Sequence, residues 1–135
     1  MGFTINQSKK FTDTIRVISA DPTRADLEFA YELEPEKMIS SAQKGLAVLE
    51  NVQNKLREHP DSDALAGMYG EAVISLFILF FGEENAKRII EFYEERYADM
   101  LTDFIPAITD EIMPKLREAS REKARRIKKA AGVSM

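Results

Sequence analysis

Cysteine is absent from this chain of 135 residues, and histidine occurs once, at His59. The first absence excludes a disulfide framework, a thiolate zinc site and a cysteine nucleophile together. The second removes His-rich metal sites and most general-base arrangements. His59 stands in Glu58-His59-Pro60-Asp61, which reads as a helix end running into a turn. The opening residues, Met1-Gly2-Phe3-Thr4-Ile5-Asn6, lack the basic-then-apolar layout of a secretory leader. The longest apolar run, Ala72 to Phe81, has ten residues with Ser75 among them, against about 20 for a membrane span. The expectation is therefore a buried helix, no membrane association and a cytoplasmic protein.

What remains suits one ordinary domain: 44 % of residues are hydrophobic and 31 % charged, in a length that supports a single core. The expected fold is mainly α, a bundle of about four helices with a short N-terminal β-hairpin or extended arm. Residues 1–20 carry the arm and residues 21–135 the helices. Phe3-Thr4-Ile5-Asn6 and Thr14-Ile15-Arg16-Val17-Ile18-Ser19 alternate β-branched residues, which fits two strands. Two strands alone are marginal in water, so the arm must pack on helices or pair with another chain. Asp21-Pro22 signals a short helix reaching about Leu33, and Glu34-Pro35 a second start. Met38, Ala42, Leu46, Leu49, Val52 and Leu56 then form one apolar face.

Asp61 or Ser62 can cap a third helix that runs to Phe81 and is apolar nearly all round after Glu71. Such a helix is either central to the bundle or part of a subunit interface. Tyr69, Val73, Ile74, Phe77, Ile78, Phe80 and Phe81 are its candidate partner or oligomer contacts. Gly82 suits a left-handed C-cap. Ile89, Ile90, Tyr93, Tyr97, Met100, Leu101 and Phe104 share a face of the next helix, with a kink or break expected near Ile105 from Pro106 and Pro114. Helix resumes through Ile108 and Ile112 to about Lys129.

Few residues invite chemistry. Glu91, Glu95, Asp99 and Asp103, spaced by four, line one stripe of a continuous helix. Paired carboxylates can hold a metal or divide acid and base roles, but a di-iron bundle needs Glu-x-x-His pairs that this chain does not contain. The stripe reads as a solvated acidic face. Gly67 and Gly70 lack the lysine and hydroxyl of a phosphate loop and read as close helix–helix contacts. Ser75 has no base beside it. No catalytic residue, cofactor or metal is expected, and the chain reads as a protein binder rather than an enzyme.

Charge is segregated. Glu83 to Glu111 carries a net −6, and Lys115 to Lys129 a net +6. The basic end (Arg121, Lys123, Arg125, Arg126, Lys128 and Lys129 above all) admits three readings: cations complementing a helix terminus, a docking tail for an acidic partner, or nucleic-acid binding. The last, a helical regulator, is disfavoured because no aromatic is interleaved with the cations. A generic helical adaptor is a further alternative.

Tyr69-Gly70-Glu71-Ala72-Val73, Phe80-Phe81-Gly82-Glu83-Glu84, Ile89-Ile90-Glu91-Phe92-Tyr93-Glu94, Tyr97-Ala98-Asp99-Met100 and Ile112-Met113-Pro114-Lys115 stand out together with the basic ending. Over roughly Tyr69 to Lys129 the chain resembles small tail assembly proteins of long-tailed bacteriophages and prophages. The resemblance implies a helical chaperone that coats the tape measure protein until tail-tube subunits replace it. It also implies homo-oligomers, and an extended form made by ribosomal frameshifting, for which Lys128-Lys129 would suit a slippery codon pair.

Overall fold

The structure is a computed structural model, and it describes residues 2–5 and 10–133. Two strands, β1 (Phe11–Val17) and β2 (Leu27–Leu33), form an antiparallel hairpin. Helices α1 (Pro35–Glu58), α2 (Asp63–Phe81), α3 (Glu83–Phe92), α4 (Tyr97–Pro106) and α5 (Met113–Val133) follow, with a π-helical turn at Ala107–Ile112 joining the last two. The architecture is a helical bundle with an N-terminal hairpin.

The hairpin sits further along the chain than expected. Residues 2–5 form no strand, and Asn6 with its three followers lies outside the described residues. The segment expected to be a short helix after Asp21-Pro22 is instead a turn followed by β2. Pairing runs from Phe11 opposite Leu33 to Val17 opposite Leu27. Leu27, Phe29, Tyr31 and Leu33 are all buried while Glu28, Ala30 and Glu32 are exposed. That period of two buries one face of a strand and outweighs the capping signal six residues earlier.

A ring cluster fixes the hairpin to the helices. Phe81, at the end of α2, makes edge contacts with Phe29, Tyr31, Phe77 and Phe104 at centroid distances of 5.1–5.7 Å. Phe29 also stacks on Phe104 at 6.4 Å. Each such pair contributes about 0.5–1.5 kcal/mol beyond area burial. Around the rings close Val73, Leu76, Ile89, Met100, Ile108, Ile112 and Leu116, all at most 2 % exposed.

The helix faces fall as their spacing requires. Met38, Ala42, Leu49 and Val52 of α1 are buried, and Leu46 and Leu56 half-buried. Ser62 caps α2 by accepting the Leu65 N–H at 3.2 Å. The 19-residue α2 as a whole is long and apolar enough to cross a membrane, although the apolar run alone is too short. In this fold Val73, Leu76, Phe77, Phe80 and Phe81 of that helix supply the core. Gly82 ends α2 with φ +87° and ψ 163°, positive as expected but extended rather than left-handed helical. It passes directly into α3, and Ala86 N–H bonds back to its carbonyl at 3.0 Å.

The kink or break expected near Ile105 falls one residue on, where α4 ends at Pro106 and gives way to the π turn. A second interruption, not expected, comes at Tyr93–Arg96, where Glu94 and Glu95 both take positive φ, 54° and 63°. Pro106 and Pro114 are accommodated within a continuous helical path by the π turn between them, where Met113 N–H reaches Ile108 O. Five-residue spacing relieves the clash of a proline ring with the preceding turn without ending the helix.

Two substitutions test this packing. Phe81→Ala is expected to destabilise the fold by about 3–5 kcal/mol in urea denaturation, because five aromatic neighbours lose their shared partner. Gly82→Ala leaves every contact in place, since nothing lies within 4 Å of the added methyl. It should still cost about 1–3 kcal/mol, because that backbone region admits essentially only glycine. A neutral result at Gly82 would show that the backbone there relaxes.

Candidate protein-binding surfaces

Burial divides the seven predicted contact residues of α2. Val73, Phe77, Phe80 and Phe81 belong to the chain's own core, Tyr69 and Ile74 are half-buried, and Ile78 is exposed. Sequence spacing could not separate these groups, because a helix apolar on every side shows no preferred face. The side left open is Ala64, Gly67, Met68, Glu71, Ser75 and Ile78, a stripe at three- and four-residue steps with one charge. Gly67 lies in open space, contrary to the expected close contact, whereas Gly70 does make one: a methyl there would meet the Tyr97 ring at 3.1 Å.

Beside Ile78 runs a groove of about 580 Å³ along α3. Ile78, Ala86 and Ile90 form its floor, and Glu83, Glu84, Glu91 and Glu95 its rim, with Lys87 the single cation. None of those four carboxylates has an ion-pair partner among the described residues.

The acidic stripe does not survive as one face. Glu91 is on α3, Glu95 in the turn, and Asp99 and Asp103 on α4, so the reversal at Glu94–Glu95 splits it. Asp103 accepts a 2.8 Å hydrogen bond from the Tyr93 hydroxyl. Burial pushes the Tyr93 phenol far above its ordinary 10.0, and the Asp103 carboxylate raises it further. Arg96 pairs with Asp99 at 3.7 Å. Among the described residues no group of three or more His, Asp or Glu is arranged to hold a metal ion.

The basic end is a helix surface throughout: from Ser120 to Ala131 α5 is exposed. The eleven residues Arg121 to Ala131 extend about 16 Å of helix. Glu118 and Glu122 engage Arg121, Arg125 and Arg126 at 3.6–4.0 Å, and Lys123 reaches Glu36 of α1 at 2.8 Å. Lys128 and Lys129 have no ion-pair partner among the described residues. Ile127 stands 60 % exposed between them and Arg126.

The hairpin edges are treated unequally, which sequence reasoning missed. On β2, the outward carbonyls of Ala30 and Glu28 accept from Asn85 at 2.8 Å and Arg88 at 2.9 Å, so α3 covers that edge. On β1, Thr14 N–H points away from β2 and is taken by the Asp13 carboxylate at 2.8 Å. Asp13 is held below the usual carboxylate range first by that bond and then by Lys115.

The connecting loop is stapled by Asp26, which accepts from Ser19 N–H at 2.8 Å and from Arg16 at 2.9 Å. Arg24 then docks the loop on the C-terminal end of α3, 4.8 Å over the Phe92 ring and 3.2 Å from Glu91 O. A cleft of about 320 Å³ lies between loop and turn, lined in part by Asp21, Tyr93, Asp99 and Asp103.

No protein-family model matches this chain, and no curated protein or solved structure matches it either.

The Ser19 N–H and then Arg16 lower the Asp26 pKa below its ordinary 3.8. A depressed folded-state value adds stability that is full above the unfolded pKa and is lost as pH falls through the folded one. Asp26→Asn should therefore flatten the decline in stability between about pH 5 and pH 2 relative to the parent chain. Urea midpoints across that range provide the readout, and an unchanged slope would remove Asp26 from the account.

Proposed function

We propose that this chain is a tail assembly chaperone of the phage or prophage type, holding an apolar helical segment of a tape measure protein during tail morphogenesis. The resemblance over Tyr69 to Lys129 supplies the identity of the partner. The observation that carries the reading is the open stripe of α2: only 33 % of that helix's most apolar window is buried, although its mean hydropathy is 1.9. Met68 is 47 % exposed and Ile78 38 %. An amphipathic helix needs such a strip, with small residues that allow close approach and one charge at the margin. Methionine adapts to irregular apolar partners, which suits a long and varied client.

Co-expression tests the proposal. The chain should keep a tape measure protein in the soluble fraction and co-purify with it. Met68→Asp, on the exposed side and away from the core, should cut the retained amount by about tenfold or more, the scale of a charge buried at an interface. A tape measure protein that aggregates equally with and without the chain would end the reading. So would a gene neighbourhood without a tail-tube gene upstream and a long helical tape measure gene downstream.

A further inference from the structure

Two exposed surfaces of this chain are complementary in charge and in the placing of their apolar residues. The end of α5 presents Ala124, Ile127 and Ala131 along one side, by their three- and four-residue spacing. Arg121 and Lys128 flank that strip on one side, and Lys123, which pairs with Glu36 of α1, on the other. The α3 groove has the inverse pattern: Ile78, Ala86 and Ile90 below, and Glu83, Glu84, Glu91 and Glu95 around them. A protruding isoleucine between cations thus matches an apolar trough between carboxylates. The α5 end spans about 16 Å, close to the about 15 Å length of the ten-residue α3.

We propose that the basic end of α5 from one copy docks in the α3 groove of the next, joining chains head to tail. The contact is heterologous, because donor and acceptor surfaces differ, so it propagates into a filament or closes into a ring. It stands on these two surfaces alone and does not require the tape measure reading. The end of α5 is the occupant favoured here because four rim carboxylates without a cation partner face a segment bearing six cations and one acid between Arg121 and Lys129. Burying Ile127 over Ile78 and Ile90 gives the contact an apolar centre inside a charged rim.

Complementary charge reversals test the idea. In sedimentation velocity the wild-type mass should rise with concentration above the 15.3 kDa of one chain. It should fall back toward one chain when salt goes from about 0.05 M to about 0.5 M, as rim charges are screened. A tail variant, Arg121→Glu with Lys128→Glu, and a groove variant, Glu84→Lys with Glu91→Lys, should each stay at the mass of one chain. Far-ultraviolet circular dichroism confirms that both remain folded. Mixed in equal amounts, they should combine into species heavier than one chain, because the intact tail of the groove variant meets the intact groove of the tail variant. Ile127→Asp should weaken wild-type assembly at least about tenfold.

A wild-type chain that stays single at all concentrations would overturn the proposal, as would variants that still assemble alone or fail to combine. Assembly that resists salt and is lost in Thr14→Pro would place the contact at the β1 edge instead and refute it. Assembly seen only with added DNA or RNA would do the same.

Discussion

The fold depends on aromatic rings meeting where α2 ends. Phe81 touches rings from β2 and α4 and from its own helix, so one side chain joins the hairpin layer to the bundle. The constraint works in both directions. Two strands gain stability only by burying Phe29 and Tyr31, and the helices need those rings to close the end of their core. Gly82 makes this possible, since its backbone turns the chain directly into α3 while Phe81 still points inward. Asn85 and Arg88, one turn later, then reach the carbonyls of β2. A strand edge, a helix start and a ring cluster thus share one corner of the molecule.

The long periodic segments were legible in the sequence. Met38, Ala42, Leu49 and Val52 in one, and Met100, Leu101, Phe104, Ile108 and Ile112 in the other, are buried as their spacing selects, with Leu46 and Leu56 half-buried. The hairpin is recognisable in kind but displaced, because β-branched residues near the N-terminus mimic a strand while the true second strand, Leu27 to Leu33, shows itself only by alternation. The turn at Glu94–Glu95 carried no signal, since neither residue favours positive φ. Tertiary packing imposes it: Tyr93 is buried against Phe104, and Arg24 holds the carbonyl of Glu91. The candidate surfaces were half legible. Segregated charge was visible in composition, but which side of α2 faces out required the fold, because Val73, Ile74, Phe77 and Ile78 look alike in a sequence.

The two sheet edges and the helical surfaces divide the exterior into different kinds of ground. Side chains of α3 cover one edge of the hairpin, and the Asp13 carboxylate occupies a donor in the middle of the other. Natural sheets guard free edges by such means against unwanted pairing. The open apolar strip of α2 has no comparable guard, and neither does the projecting end of α5.

The π turn also governs phase. Phe104, Ile108, Ile112 and Leu116 recur every four residues and are all buried. In an undisturbed α-helix that interval drifts by about 40° per step, which would carry the last of them well round the cylinder. A wider turn between the two prolines takes up the drift, so a sequence written with the wrong period still keeps its inward residues aligned. Moving or deleting one proline would therefore act like a gear slipping by one tooth: everything downstream, including the whole basic end, would point in a new direction.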